Sequence, residues 1–221
     1  MNETTTSNQW DNWNFPLYIP ENRLKRTVKD LLGKFALAKS PSLRKAILNG
    51  LQPKTLLERA AVMSLLFELE QKGEMESIAK IHRSFWASEE AFGYYQFTNE
   101  RMNGMYELTK PDLLAAFQEL LDEGSFKRVI EIGCGEGHVL EELSKELNSI
   151  DQFVGIDINK SQITATMNRF ASNPKLSFLA GDALEYLDQN EVSNSILFTF
   201  GGVMEYFTER ELKDFFTKLK L

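Results

Sequence analysis

Residues 129–140 read VIEIGCGEGHVL, and this stretch decides the fold. An apolar run, Val129 to Ile132, is broken by one acid, Glu131. Glycines then alternate at 133, 135 and 137 before a helical pattern resumes at His138. A strand that turns this sharply into a helix needs residues that tolerate unusual φ and present no Cβ to a ligand lying across the bend. Such a turn is expected to aim free backbone N–H groups at that ligand. Cys134 sits inside the bend as a small packing residue.

Working outward, the apolar runs VIEI, FVGI, LSFL and SILFTF begin at 129, 153, 176 and 195. Helix-length amphipathic segments separate them, which predicts consecutive strand–helix units of a parallel sheet. Leu140, Leu143 and Leu147 fall on one face of the first helix; Ile163, Met167 and Phe170 fall on one face of the second. Right-handed crossovers bring every strand's C-terminal end to one rim, where ligands of such sheets bind. Asp157, ending the second strand, is placed to accept hydrogen bonds from both hydroxyls of a ribose. Asp182 follows the third strand in LAGDA, and Phe200-Gly201-Gly202 follows the fourth.

In this order and spacing, E-x-G-x-G-x-G, the rim acid Asp157 and the Asp182-Ala183 pair resemble the motifs of class I S-adenosylmethionine (SAM)-dependent methyltransferases. The dinucleotide fingerprint G-x-G-x-x-G fits less well, because His138 stands where its last glycine belongs. The resemblance covers roughly residues 94–221, densely 129–207. It implies a Rossmann-like, doubly wound parallel α/β sheet with SAM as cofactor. Glu131, Gly133, Cys134, Gly135 and Gly137 would cradle the methionine portion, and Asp157 would hold the ribose with Ile158 on the adenine face. Asp182 and Ala183 would recognise the adenine amine, while Phe200 and Gly201 would line the wall near the sulfonium. The sequence after the fourth strand departs from the Asn/Asp-Pro-Pro-aromatic tetrad of enzymes that methylate amide or adenine nitrogens. Those acceptors are not expected; a small-molecule acceptor is, because a helical cap would close over a compact pocket. A non-catalytic SAM-fold module and a NAD-type oxidoreductase are the alternative classes.

The family's domain normally continues with further strands beyond the point where this sequence stops, at Leu221. The sheet is therefore expected to be C-terminally incomplete, through truncation, self-association or a partner chain completing it. A T-x-x-E capping box at 208–211 opens a last helix with Leu212, Phe215, Phe216 and Leu219 on its apolar side.

Before the glycine turn the chain reads as a polar loose tail (1–20) with Trp10, Trp13, Phe15 and Tyr18, then an all-helical N-terminal cap (21–110) ahead of the cofactor domain (111–221). Pro41 and Pro53 mark helix starts, and Leu56, Leu57, Ala60, Met63, Leu66 and Leu69 form a stripe. Residues 85–106 pack seven aromatics into 22 positions, a segment similar to the lids of many methyltransferases. Tyr94, Tyr95 and Arg101 are its candidate contacts to acceptor or cofactor; Glu205 and Tyr206 are candidates after the fourth strand. His138 reads as a cap or packing residue.

The net charge is −7, and all of it lies in residues 129–221, with 8 Lys+Arg against 15 Asp+Glu. That disfavours nucleic acid as acceptor. Eight basic residues in 21–48 read as a solvated helix face. The absence of an 18-residue apolar run or signal-peptide pattern predicts no membrane span. A single cysteine fits a reducing, cytoplasmic setting. With no cluster of His, Asp, Glu and Cys at ligand spacing, no metal site is expected.

Overall fold

The computed structural model describes residues 22–219, apart from the side chains of residues 96–101. The aromatic tail at 1–20 and the side chain of Arg101 lie outside that description. By internal contacts the chain divides into two compact units, Met1–Phe85 and Trp86–Leu221. Among the described residues, no helix is long and apolar enough to cross a membrane.

The first unit holds α1 (Arg23–Lys39), α2 (Pro41–Leu48), α3 (Leu56–Lys72) and α4 (Met75–Trp86), the last ending at the division. Ser40 caps α2 by accepting from Leu43 N–H, with Pro41 in its first turn. Pro53 opens no helix. Thr55 instead caps α3 in a capping box with Glu58. Ala60, Met63 and Leu69 of the expected stripe are buried, but Leu56 and Leu57 are exposed. Gly33 lets α1 lie against α3, since a Cβ there would stand 2.1 Å from the Ala60 carbonyl oxygen. The basic segment is not uniformly solvated: Lys29 is fully buried, and Arg44 makes a bidentate pair with Glu68 at 2.7 Å. Burial, and then the nearby Arg59 charge, lowers the Lys29 pKa to about 8.

The second unit begins with α5 (Glu89–Glu123), a 35-residue helix capped by Ser88 that runs through Pro111. The sequence-drawn division at 110/111 thus falls inside one helix. Next come β1 (Arg128–Ile132), α6 (His138–Glu146), β2 (Gln152–Asp157), α7 (Lys160–Arg169), β3 (Leu176–Ala180), α8 (Ala183–Gln189) and β4 (Ser195–Thr199). A 3-10 turn (Val203–Tyr206) and α9 (Glu209–Lys218) end the described chain.

The four strands are parallel, in the order β3-β2-β1-β4. Each begins at or within one residue of an apolar run. The central β1 and its neighbour β2 are buried nearly throughout, as parallel strands covered on both faces are, while β3 and β4 are partly exposed. On one face Val129, Phe153, Phe178 and Ile196 pack with α5, α6 and α7. On the other, Ile130, Ile132, Val154 and Ile156 pack with α8 and α9. Helices on both faces of a parallel sheet make an α/β Rossmann-like fold, with the change of direction between β1 and β4. β4 pairs with β1 on one side, and no described strand lies on its other side.

Two helix faces differ from the hydropathy pattern. Met167 is 53% exposed, and the inward position on α7 belongs to Thr166, whose hydroxyl donates to the Gly135 carbonyl at 3.1 Å. In α9, Thr208 and Glu211 form the expected capping box and Phe215 is buried, but Phe216 is 62% exposed.

Candidate functional site

The glycine turn lies at the C-terminal end of β1, where the sheet changes direction. Gly133, Gly135 and Gly137 take φ of 74°, 48° and 71°. Two of these positions are also crowded. A Cβ on Gly133 would meet Val203 Cγ2 at 2.3 Å, and one on Gly137 would meet the Phe178 ring at 2.6 Å. Only glycine meets both the torsion and the contact. Through Val203, the segment after β4 is held against the bend.

The turn's N–H groups are largely engaged within the protein, contrary to the expectation of free donors. Gly133 and Cys134 both donate to Ile156 O (2.7 and 3.1 Å), and Gly137 donates to Cys134 O (2.8 Å). Gly135 N–H donates to Asp157 Oδ2 at 3.0 Å. The turn is thereby fastened to β2 and to its terminal carboxylate. Cys134 belongs to the buried core, and a Cβ on Gly155 would stand 2.6 Å from its Sγ. Burial, with the Asp157 and Glu131 charges beside it, pushes the thiol pKa well up, so it is poorly suited to nucleophilic work.

Two carboxylates flank the bend. Asp157 is 5% exposed; its Oδ1 accepts from Asn159 N–H (2.9 Å) and the Tyr95 hydroxyl (3.0 Å). Burial raises its pKa, opposed by these hydrogen bonds. Glu131 is 2% exposed, and its Oε2 has no hydrogen-bond partner among the described residues. Burial, and secondly the Asp157 charge, raises its pKa well above the ordinary carboxylate range. A buried acceptor left unmatched costs about 1–3 kcal/mol, so this pair stores free energy that a donor or a cation would recover.

At the neighbouring strand ends, Asp182 caps α8: one oxygen accepts from Leu184 N–H (2.8 Å) and Glu185 N–H (3.4 Å). Ala183 is buried, and Ile158 is half-buried beside Asp157. Phe200 packs edge-on against Tyr106, which also meets His138 edge-on at 5.5 Å, giving the histidine a packing role. Gly201 is exposed, with φ of 89°.

The aromatic segment gathers over the same rim. Trp86 has Tyr94, Tyr95 and Tyr206 around it, at centroid distances of 5.5, 5.7 and 5.8 Å. Burial raises the Tyr206 pKa. Glu205 is exposed. Asn159 ties this segment down, donating to the carbonyls of Trp86 (2.8 Å) and Ser88 (2.9 Å) while its own oxygen caps α7. The sequence reading passed over Asn159, Gly155 and Thr166. An asparagine before a helix and a glycine inside a strand were available signals for the first two.

One side-chain grouping at ligand spacing escaped the sequence reading. His138, Glu141 and Glu142 lie on one turn of α6 with candidate ligand atoms within 4.8 Å of one another. Both carboxylates are already paired, Glu141 with Lys145 and Arg169, Glu142 with Lys110 and Lys145.

A methyltransferase-domain family model matches residues 129–220. No curated protein matches the chain. Among solved structures, the chain is similar to the methyltransferase domain of bacterial CtHen1-CN, at 25% identity over 48% of this chain and 56% of that one, with a TM-score of 0.36. It is also similar to Haemonchus contortus phosphoethanolamine N-methyltransferase 1, solved with phosphoethanolamine and S-adenosylhomocysteine. That match has 24% identity over 64% of this chain and 30% of that one, with a TM-score of 0.40. The chain thus spans about half the length of the first and under a third of the second. The match to the methyltransferase-domain model thus spans the part of the chain that holds the glycine turn and the four-stranded parallel sheet.

Proposed function

We propose that the rim between β1, β2 and β4 binds SAM and that the chain transfers its methyl group to a small-molecule acceptor. The observation that carries the reading is Asp157, a buried carboxylate at the end of β2, bonded to the glycine turn where the sheet changes direction. A carboxylate so held is pre-oriented to accept two ribose hydroxyls. Glu131 adds a second point of fit. Its orphaned oxygen lies on the strand that leads into the bend, and an α-ammonium nearby would supply the missing partner.

In this reading Glu131 and the turn 133–137 hold the methionine portion, and Ile158 packs on the adenine. The uncommitted oxygen of Asp182, with the Ala183 N–H, meets the adenine edge. Phe200, Gly201 and Gly202 wall the sulfonium side. SAM supplies a methyl on a sulfonium that leaves neutral, so the protein's work is alignment and exclusion of water. Tyr94, Tyr206 and Glu205 stand on the acceptor side. The aromatic surround of Trp86 suits a compact acceptor, and the acidic sheet half does not suit a polyphosphate. We place α5 with the cofactor domain and the chain in the cytoplasm, on its lone buried thiol.

Calorimetry with S-adenosylhomocysteine (SAH) and with NAD⁺ tests the cofactor. The account expects saturable heat with SAH only; heat with NAD⁺ and none with SAH overturns it. Transfer of labelled methyl from SAM to a panel of small acceptors tests the reaction itself.

A further inference from the structure

The hydrogen bonds at Asp157 carry a consequence for cofactor entry. An ionised carboxylate has about four acceptor positions, two on each oxygen. Oδ1 uses both of its positions, on the Asn159 N–H and the Tyr95 hydroxyl, while Oδ2 uses one on the Gly135 N–H. Among the described residues one position is therefore left. Two ribose hydroxyls need two. The Gly135 and Asn159 donors are backbone groups of the turn and strand end that build the site. Tyr95 comes from a different element, α5, 62 residues earlier in the chain.

The Tyr95 ring is placed in keeping with its hydroxyl. A Cβ on Gly135 would lie 3.4 and 3.5 Å from its Cε1 and Cδ1, so the ring lies against the middle glycine of the bend. Burial and the facing Asp157 carboxylate push the phenol pKa well up, and the hydroxyl remains a donor throughout the physiological range. A donor to Oδ1 on a ring covering the turn is a stand-in for the ribose.

We propose that Tyr95 occupies the ribose position of the cofactor-free protein, and that SAM or SAH binds by exchanging the Tyr95 hydroxyl for the ribose hydroxyls on Asp157. This inference rests on the cofactor reading above. Cofactor affinity is then lowered by the fraction of molecules in which Tyr95 holds the carboxylate. The anchor of Trp86 and Ser88 on Asn159 lies before Tyr95, so the movement is local to the part of α5 beyond it.

The test compares SAH binding by the wild type and Tyr95→Phe, the conservative variant that keeps the ring and removes only the competing donor. Tyr95→Phe is expected to bind SAH about tenfold more tightly, the order set by one hydrogen bond to a charged acceptor. A second measurement leaves Tyr95 intact. Of the chain's three tryptophans, Trp10 and Trp13 are replaced by phenylalanine, so that Trp86 alone reports. Its fluorescence should shift as SAH is added, because the Tyr95 ring that packs edge-on against it moves away. If both proteins bind SAH with equal affinity, or Tyr95→Phe binds more weakly, and Trp86 does not respond, the exchange is refuted while the cofactor reading stands. If neither protein binds SAH, the cofactor reading falls and takes the exchange with it.

Discussion

Replacing Asp157 with asparagine separates the carboxylate's charge from its shape. The side chain is 5% exposed and accepts three hydrogen bonds, two on Oδ1 and one on Oδ2. Asparagine best keeps its carbonyl oxygen at the Oδ1 position, which turns its amide toward the Gly135 N–H, a donor facing a donor. One lost bond with its unmatched partner costs about 1–3 kcal/mol. Removal of a charge whose pKa is raised by burial offsets part of that cost. The melting temperature should therefore move by no more than about 5 °C. Cofactor binding suffers more. Both ribose bonds lose their charge assistance, roughly half the strength of each, or about 1.5–3 kcal/mol together. At 1.4 kcal/mol per tenfold, SAH should bind about 10- to 100-fold more weakly by calorimetry. A folded Asp157→Asn protein whose SAH affinity stays within threefold of wild type would refute the assignment of the ribose to this carboxylate.

Other substitutions probe the frame around it. Glu131 is held above the ordinary carboxylate range by burial and then by the Asp157 charge, so the folded protein binds its proton more tightly than the unfolded chain. Stability from this group is complete below the unfolded pKa and is lost as pH rises toward the folded one. Glu131→Gln removes that loss, so its melting temperature relative to wild type should increase between pH 5 and pH 8; a constant difference would refute the burial argument. Gly137→Ala combines a positive φ, about 1 kcal/mol, with a Cβ 2.6 Å from the Phe178 ring, about 1–3 kcal/mol more. A drop on the order of 10 °C in thermal melting is expected, and an unchanged melt would contradict the packing described. Thr166→Val removes the hydroxyl bonded to Gly135 O and to Gln162 Nε2, and denaturant unfolding should show a loss of about 1–2 kcal/mol.

The sheet was legible because each strand carries an apolar run, which β1 and β2 bury nearly throughout and β3 and β4 only in part. The glycine turn was legible because positive φ and close contact admit no other residue at Gly133 and Gly137. Helix faces were harder to read. Hydropathy puts Met167 inward and Thr166 outward, and one hydrogen bond to a backbone carbonyl reverses the order. Phe216 was drawn inward by the same reasoning, although Phe215, with Leu219 packed against the same cluster, is the phenylalanine that α9 buries. Lys29 was read with its solvated neighbours, because nothing in a run of basic residues marks the one that faces α3. The aromatic segment before the sheet stands out by its composition, but its pairing does not: no local spacing links Tyr95 to a carboxylate 62 residues away. Glu131 and Asp157 were legible as acids within β1 and at the end of β2. That both are buried, one with an unmatched oxygen, is a property of the folded rim.

A crystal structure of the SAH complex tests the central claim most directly. The account predicts both ribose hydroxyls within about 3 Å of the Asp157 oxygens, the homocysteine along the bend at 133–137, and the Tyr95 hydroxyl withdrawn from Oδ1. A structure with SAH bound away from β1 and β2, or with no nucleoside contact to Asp157, would contradict it.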